Sequence, residues 1–352
     1  MPVHNLGYRG WDEQRVPKWL RPWILARAGI SLVWQRKLMR FLLMFAWLPI
    51  IFPAFFIFAF EFSINDPESL VGLLASPPIS QPELAMEVVN DPEAARHQVW
   101  SLMILTFFRY PQAIAMVMLV GLIAPMMISY DLRSKAYLMY FSRPLTPSEY
   151  LLGKSAVVWF YLAMISTIPA MVVYLMGVLL SPELSVLAQT WDIPLRILAA
   201  SAVLLLPTTA VALCYSSMSS ESRYTTFSWF ATWIMGIVAY RILTWTTFEP
   251  PRGSMRDVRP EPPMPGEFEA EFEEAFMEGD FGPPPEQPPW PEFDLDAYRG
   301  LSPYDTLGKV QAWVFDLDTT PASVTPFLTL LVVVTVICLW WTRRRIVKRL
   351  SV

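Results

Sequence analysis

Histidine and cysteine are nearly absent from this 352-residue chain, with two of each. His4 and His97 stand far apart without Cys or His companions, so a metal site has nothing to build on. Cys214 and Cys338 lie inside apolar stretches, where a free thiol behaves as a small apolar group; they announce neither a disulfide framework nor redox chemistry. Charge is also scarce. Asp, Glu, Lys and Arg make up 16% of the residues, against about 25% in a typical soluble domain. In their place the chain is 54% hydrophobic and 14% aromatic, with a mean hydropathy of +0.37. The first forty residues carry eight basic residues and no short apolar region ending in a small-residue cleavage site, so no cleavable signal is expected.

What is present is six long apolar runs, at 41–60, 112–130, 155–180, 194–215, 226–247 and 323–342. Each has roughly the 20 residues that a bilayer crossing requires. None of the runs holds His, Asp or Glu. Intramembrane hydrolases need a nucleophile with its base or a metal, and proton-coupled carriers need membrane carboxylates. Ser155, Ser166 and Ser201 therefore read as helix-packing groups, and the chain as a non-catalytic one without a cofactor. Pro49, Pro53, Pro125, Pro169 and Pro207 read as ordinary membrane-helix prolines whose lost hydrogen bonds are made good by neighbouring helices.

Basic residues mark the cytoplasmic side. With the N-terminus inside, segments 1–40, 131–154, 216–225 and 343–352 hold 18 basic and 5 acidic residues. Segments 61–111, 181–193 and 248–322 hold 7 basic and 26 acidic. Both termini are expected in the cytoplasm. The chain divides into a cytoplasmic N-terminus with an interfacial helix (1–40), five crossings with an inner loop at 131–154 (41–247), an extracytoplasmic loop (248–322), and a sixth crossing with a basic tail (323–352).

Residues 17–40 mix Trp, Ile, Leu and Val with Arg and Lys, the pattern of a helix lying in the inner headgroup layer. On the outer side, NDPES (65–69) and NDPEA (90–94) each place an Asp cap before a Pro at the first helical position. The second helix is expected to stay outside until Pro111 opens the next crossing, with Arg196 and Arg241 near the outer boundary. The loop 248–322 has 14 prolines, 17 acidic and 5 basic residues, too little apolar content to bury a core. Within it, Phe268, Phe272 and Phe276 share one helical face. That face suits either rest on the membrane surface or docking of an extracytoplasmic partner at 249–298.

Residues 148–155 read SEYLLGKS, which ends like a phosphate-binding loop. Ser148 stands where that loop needs its first glycine, and no buried strand precedes it. Thr146, Pro147 and Glu149 instead form a helix start with a capping box. The helix opens two turns early, and the amides of Gly153, Lys154 and Ser155 go to internal bonds. The surrounding segment, GLIAPMMISYDLRSKAYLMYFSRPLTPSEYLLGKSAVVWFYL (121–162), resembles the permease subunits of ABC-2-type bacterial transporters. The resemblance rests on Asp131, Arg133, Lys135, Ala136, Tyr140, Ser142, Arg143, Pro144, Tyr150, Gly153 and Lys154, and spans about 40 residues.

That resemblance implies an all-α, six-span permease subunit in the bacterial inner membrane. It would act in an ATP-driven exporter, paired with a second permease chain and driven by a separate ATPase; no nucleic acid is involved. Asp131, Arg133, Lys135, Tyr140, Ser142, Arg143, Pro144, Glu149, Tyr150, Gly153 and Lys154 would couple the ATPase to the membrane. The helix of the second crossing is expected to continue through DLRSKAYLMYF, with Pro144 holding Arg143 extended and Thr146 starting the next helix at once. Lys154 is expected to anchor among the headgroups. The acidic insert at 249–298 departs from the family pattern. The alternative is a membrane anchor whose acidic loop recruits an extracytoplasmic partner.

Overall fold

The computed structural model describes residues 17–62, 88, 90–141, 145–181, 185–247, 298–318 and 320–350. All regular secondary structure among them is helical. Six stretches are long and apolar enough to cross a membrane: Lys37–Phe62, Ala95–Arg133, Pro147–Leu180, Ile193–Met218, Ser222–Thr244 and Pro321–Lys348, here spans 1 to 6. Each overlaps one of the six apolar runs. Phe41, Met44, Leu48 and Phe55 of span 1, Phe227 and Met235 of span 5, and Val332 and Val336 of span 6 are all exposed. Apolar faces of that extent are stable against lipid rather than water. The chain is a multi-pass, all-α membrane protein.

Spans 2 and 4 form the centre, with 72% and 61% of their most apolar windows buried, whereas spans 5 and 6 lie at the rim with 17% and 11%. Span 4 packs on spans 2, 3, 5 and 6. The exposed Arg133, Lys135, Arg223, Arg343 and Arg344 gather at one end of the bundle, the basic end.

Prolines are accommodated as expected of membrane helices. Pro125 cannot donate to the Gly121 carbonyl, and the Thr226 hydroxyl of span 5 donates to it instead at 3.3 Å. One turn on, Ser216 Oγ of span 4 accepts from the amides of Ile128 and Ser129 (2.9 and 3.0 Å) and donates to the Ala124 carbonyl (2.7 Å). These bonds hold span 2 to spans 4 and 5 where its backbone ladder is weakest.

Three expectations are corrected. Pro111 does not start a separate helix: helix Pro92–Pro111 runs through a π-turn, Gln112–Met116, into Val117–Met127. The Gln112 side chain steadies the wide turn by donating to the Phe108 carbonyl at 3.0 Å. Secondly, the helix beyond span 2 does not continue unbroken. It stops at Arg133 and restarts at Ala136, because Lys135 adopts a left-handed φ of 55° and Ser134 Oγ bonds the Tyr130 carbonyl (2.9 Å).

Thirdly, carboxylates do enter the spans. Glu61 ends span 1 fully buried, and Asp131 lies in the last turn of span 2. Helix Arg21–Trp34 is docked on protein along one side. Gly153 of span 3 faces Pro22 and Leu25, Gly29 faces Val157, and the Ile30 carbonyl accepts from Tyr161 (2.8 Å). The order of these contacts shows the two helices running in the same sense. Trp19, Trp23, Ile24 and Trp34 remain exposed on its other side.

Part of the segment read as an outer loop is also built into the bundle. Helix Pro303–Val314, capped by Ser302 Oγ, packs on spans 2, 4, 5 and 6. Arg109 of span 2 stacks over its Tyr304 ring at 4.4 Å, and Gln112 donates to Gln311 at 3.2 Å. Residues 65–69, the phenylalanine face at 268–276 and the rest of 249–297 lie outside the described residues.

Candidate functional site

Spans 2 and 3 are joined at the basic end by a short elbow, and most of the family-like residues meet there. The Asp131 carboxylate is buried on span 2. Lys154 Nζ of span 3 approaches Asp131 Oδ2 at 2.7 Å, the two side chains being 8% and 6% exposed. The phenol of Tyr150 donates to the same oxygen at 2.6 Å. Tyr150 and Lys154 are four apart on one helix and so share a face; a single carboxylate takes both donors.

Two aromatic rings complete the enclosure. The Lys154 ammonium lies 5.5 Å from the Tyr150 ring and 5.8 Å from that of Tyr140, within the range of cation–π attraction. Burial, and then the charge of Asp131, pushes the Tyr140 phenol above its ordinary pKa, so it stays protonated. Removing two charges from water costs several kcal/mol per ion, recovered only when geometry is good and the remaining lone pairs are bonded. Here the geometry is close, with Oδ2 taking one charged and one neutral donor. Lys154 is thus the internal counter-ion of Asp131 and not an anchor among headgroups.

Span 3 begins as its sequence requires. Thr146 Oγ1 accepts from the Glu149 amide at 3.3 Å, and the Thr146 amide donates to Glu149 Oε2 at 2.7 Å, the two halves of a capping box. Gly153, Lys154 and Ser155 sit inside helix Pro147–Ile165, where their amides are not free for phosphate. Gly153 has its own reason for lacking a side chain: a Cβ there would lie 2.9 Å from both Leu25 Cδ2 and the Pro22 carbonyl oxygen.

The family-like residues therefore separate by position. Asp131, Tyr150, Gly153 and Lys154 are buried and hold the elbow; Tyr140 and Glu149 are partly buried beside them. Arg133 and Lys135 are exposed on the outer side of the bend. Ser142, Arg143 and Pro144 lie outside the described residues.

Sequence reasoning missed a second tie at this elbow. Ser129 Oγ, at the end of span 2, donates to the Ser216 carbonyl (2.8 Å) and pairs with Thr225 Oγ1 of span 5 (2.8 Å). Short hydroxyl residues in apolar helices give no signal of their partners. Also missed was a polar cluster at the opposite end. Glu61 Oε1 meets Arg96 (3.2 Å) and Trp100 Nε1 (2.9 Å), and Arg96 donates to Gln189 (2.7 Å). Nearby, Asp192 accepts from Arg196 (2.6 Å) and His97 (3.0 Å). Arg196 also reaches Asp316 (3.6 Å) and the Val314 carbonyl (3.1 Å), so it clamps helix Pro303–Val314 to span 4.

Compared with known proteins, the chain matches no family model and no curated protein. Chemically, the elbow is an electrostatic lock. Among the described residues it holds no nucleophile paired with a base, and they contain no group of three His, Cys, Asp or Glu side chains fit to hold a metal.

Proposed function

We propose that this chain is the membrane-spanning permease subunit of an ATP-driven transporter of the ABC-2 type, an exporter in the bacterial inner membrane. It is a non-catalytic subunit that pairs with a second permease chain and is moved by a separate cytoplasmic ATPase. The observation that carries the reading is the lock of Asp131 to Lys154 and Tyr150, with Arg133 and Lys135 turned outward on the same bend. A force applied at Arg133 and Lys135 passes into spans 2 and 3 through a buried ion pair instead of a slack loop. Through Gly153 it also reaches helix Arg21–Trp34, and through Ser129 it reaches spans 4 and 5.

The test is co-expression with candidate ATPase subunits, followed by purification through a tag on this chain. The wild-type chain retains the ATPase. Reversing both exposed charges (Arg133→Glu with Lys135→Glu) removes most of it without shifting the melting temperature, while deleting 249–298 leaves retention intact. Full retention by the double reversal overturns the coupling role. Loss of partners on deleting 249–298 alone favours a scaffold that recruits through its acidic loop.

A further inference from the structure

Spans 5 and 6 barely touch each other, and the space between them is not filled. Pro207 of span 4 forms its back, Trp229 and Trp233 of span 5 one wall, and Leu330 and Val334 of span 6 the other. Leu307, on helix Pro303–Val314, closes the end away from the basic residues. The cavity measures about 260 Å³. Leu330 is 38% exposed, so the space opens sideways, between the two rim helices.

The lining has almost no polar demand to meet. The Tyr215 and Thr232 hydroxyls bond each other at 2.7 Å, Thr306 donates to the Arg299 carbonyl at 2.9 Å, and Trp229 Nε1 donates to the Val117 carbonyl at 2.8 Å. Thr208 Oγ1 has no partner but is itself sealed from any probe of water size. A polar or charged molecule would lose its hydration here and gain no bond. Hydrocarbon loses nothing.

Size and charge identify which hydrocarbon. An engineered apolar cavity of about 150 Å³ takes one benzene; in proportion, this one takes about ten carbons. A helix of a second copy, about 10–12 Å across, is too wide. At about 1.5 Å per residue, Cys338 and Leu330, which both border the cavity, lie about 10 and 22 Å along span 6 from Arg345. That range begins within one leaflet's chains, about 15 Å deep, and reaches the midplane. The helix end there carries the exposed Arg343 and Arg344, Arg344 stacked over Trp340 at 5.2 Å. Arg345 caps span 4 through the Met218 carbonyl at 2.7 Å. Such a run attracts anionic headgroups.

We propose that this cavity holds one acyl chain of an anionic phospholipid, inserted sideways between spans 5 and 6, with its headgroup on Arg343 and Arg344. The inference stands whether or not the chain serves an ATPase.

The experiment places the full chain in detergent-free nanodiscs containing phosphatidylglycerol with a diazirine midway along one acyl chain. Adducts are mapped after illumination. Trp233, Leu331 and Val334 should carry several-fold more label per residue than Phe55, which faces open lipid on span 1. Val334→Trp fills the cavity, and Leu330→Trp narrows its mouth from a partly exposed position that a larger side chain tolerates. Either variant should bring cavity labelling down to the Phe55 level and leave Phe55 unchanged. Arg343→Gln with Arg344→Gln should lower the phosphatidylglycerol signal to that of an equivalent phosphatidylcholine probe. Wild-type labelling at Trp233 and Val334 no higher than at Phe55 overturns the site. Labelling indifferent to Leu330→Trp overturns it as well. Equal labelling by the two lipids in the wild type overturns the headgroup assignment.

Discussion

At the scale of the residue, the elbow depends on one carboxylate with two donors. Lys154→Met leaves Asp131 buried and unpaired, which costs about 3–5 kcal/mol. The combined change Asp131→Leu, Tyr150→Phe and Lys154→Met removes every member of the set and should recover most of that loss. Melting temperatures of the purified proteins check the contrast; a triple variant as unstable as Lys154→Met would mean that shape, not charge, dominates. Lys135 carries a different tension. Its left-handed conformation costs a side-chain-bearing residue about 1–2 kcal/mol, and asparagine tolerates it best after glycine. Melting temperatures should therefore rank Lys135→Asn above wild type and Lys135→Val below it.

At the opposite end, Asp192 sets a pH limit. Burial raises its pKa, but the hydrogen bonds and charges of Arg196 and His97 outweigh that and hold it below the ordinary carboxylate range. A folded pKa below the unfolded value of about 3.9 contributes stability that is complete above that value and lost as pH falls through the folded one. Asp192→Asn should therefore lower the melting temperature at pH 7 and progressively less below about pH 4. An unchanged gap in acid would show that the Asp192 charge is not what ties the start of span 4 to His97 of span 2.

At the scale of the element, helix Arg21–Trp34 and the start of span 3 approach each other through two glycines. Gly153→Leu should lift the helix away. Limited trypsin digestion should then cut at Arg27 and Arg36 faster than in the wild type, whereas Gly300→Ala, where a Cβ meets only ordinary contact, should not change the digest. The capping box and the six apolar cores were legible in the sequence because each is a local pattern: Thr146 with Glu149, or twenty apolar residues in a row. The π-turn after Pro111, the break at Lys135 and the docking of residues 303–314 were not. Each depends on what a distant helix offers, such as Gln311 across from Gln112. Glu61 escaped for a simpler reason: hydropathy ends span 1 at Phe60, but Arg96, Trp100 and Ser181 make a site in which a buried charge is satisfied.

At the scale of the whole molecule, the positions of the family-like residues were legible while their division of labour was not. Sequence order placed Asp131, Arg133, Lys135, Tyr150 and Lys154 in one segment. Only the folded chain separates those buried in the lock from those facing outward: Asp131 and Arg133 stand two apart on one short helix, one buried and one exposed. The proposed topology, with the elbow and both termini in the cytoplasm, rests on the charge asymmetry between the two halves.

Whether the elbow meets the ATPase decides the account most directly. In a background with Cys214→Ser and Cys338→Ala, a single cysteine at position 135 is treated with a short bifunctional thiol–amine cross-linker in membranes holding both proteins. The account predicts a covalent adduct with the ATPase at position 135 and none at position 187, an exposed site at the opposite end of the bundle. An adduct at 187, or no adduct at 135 while the ATPase still co-purifies, would contradict it.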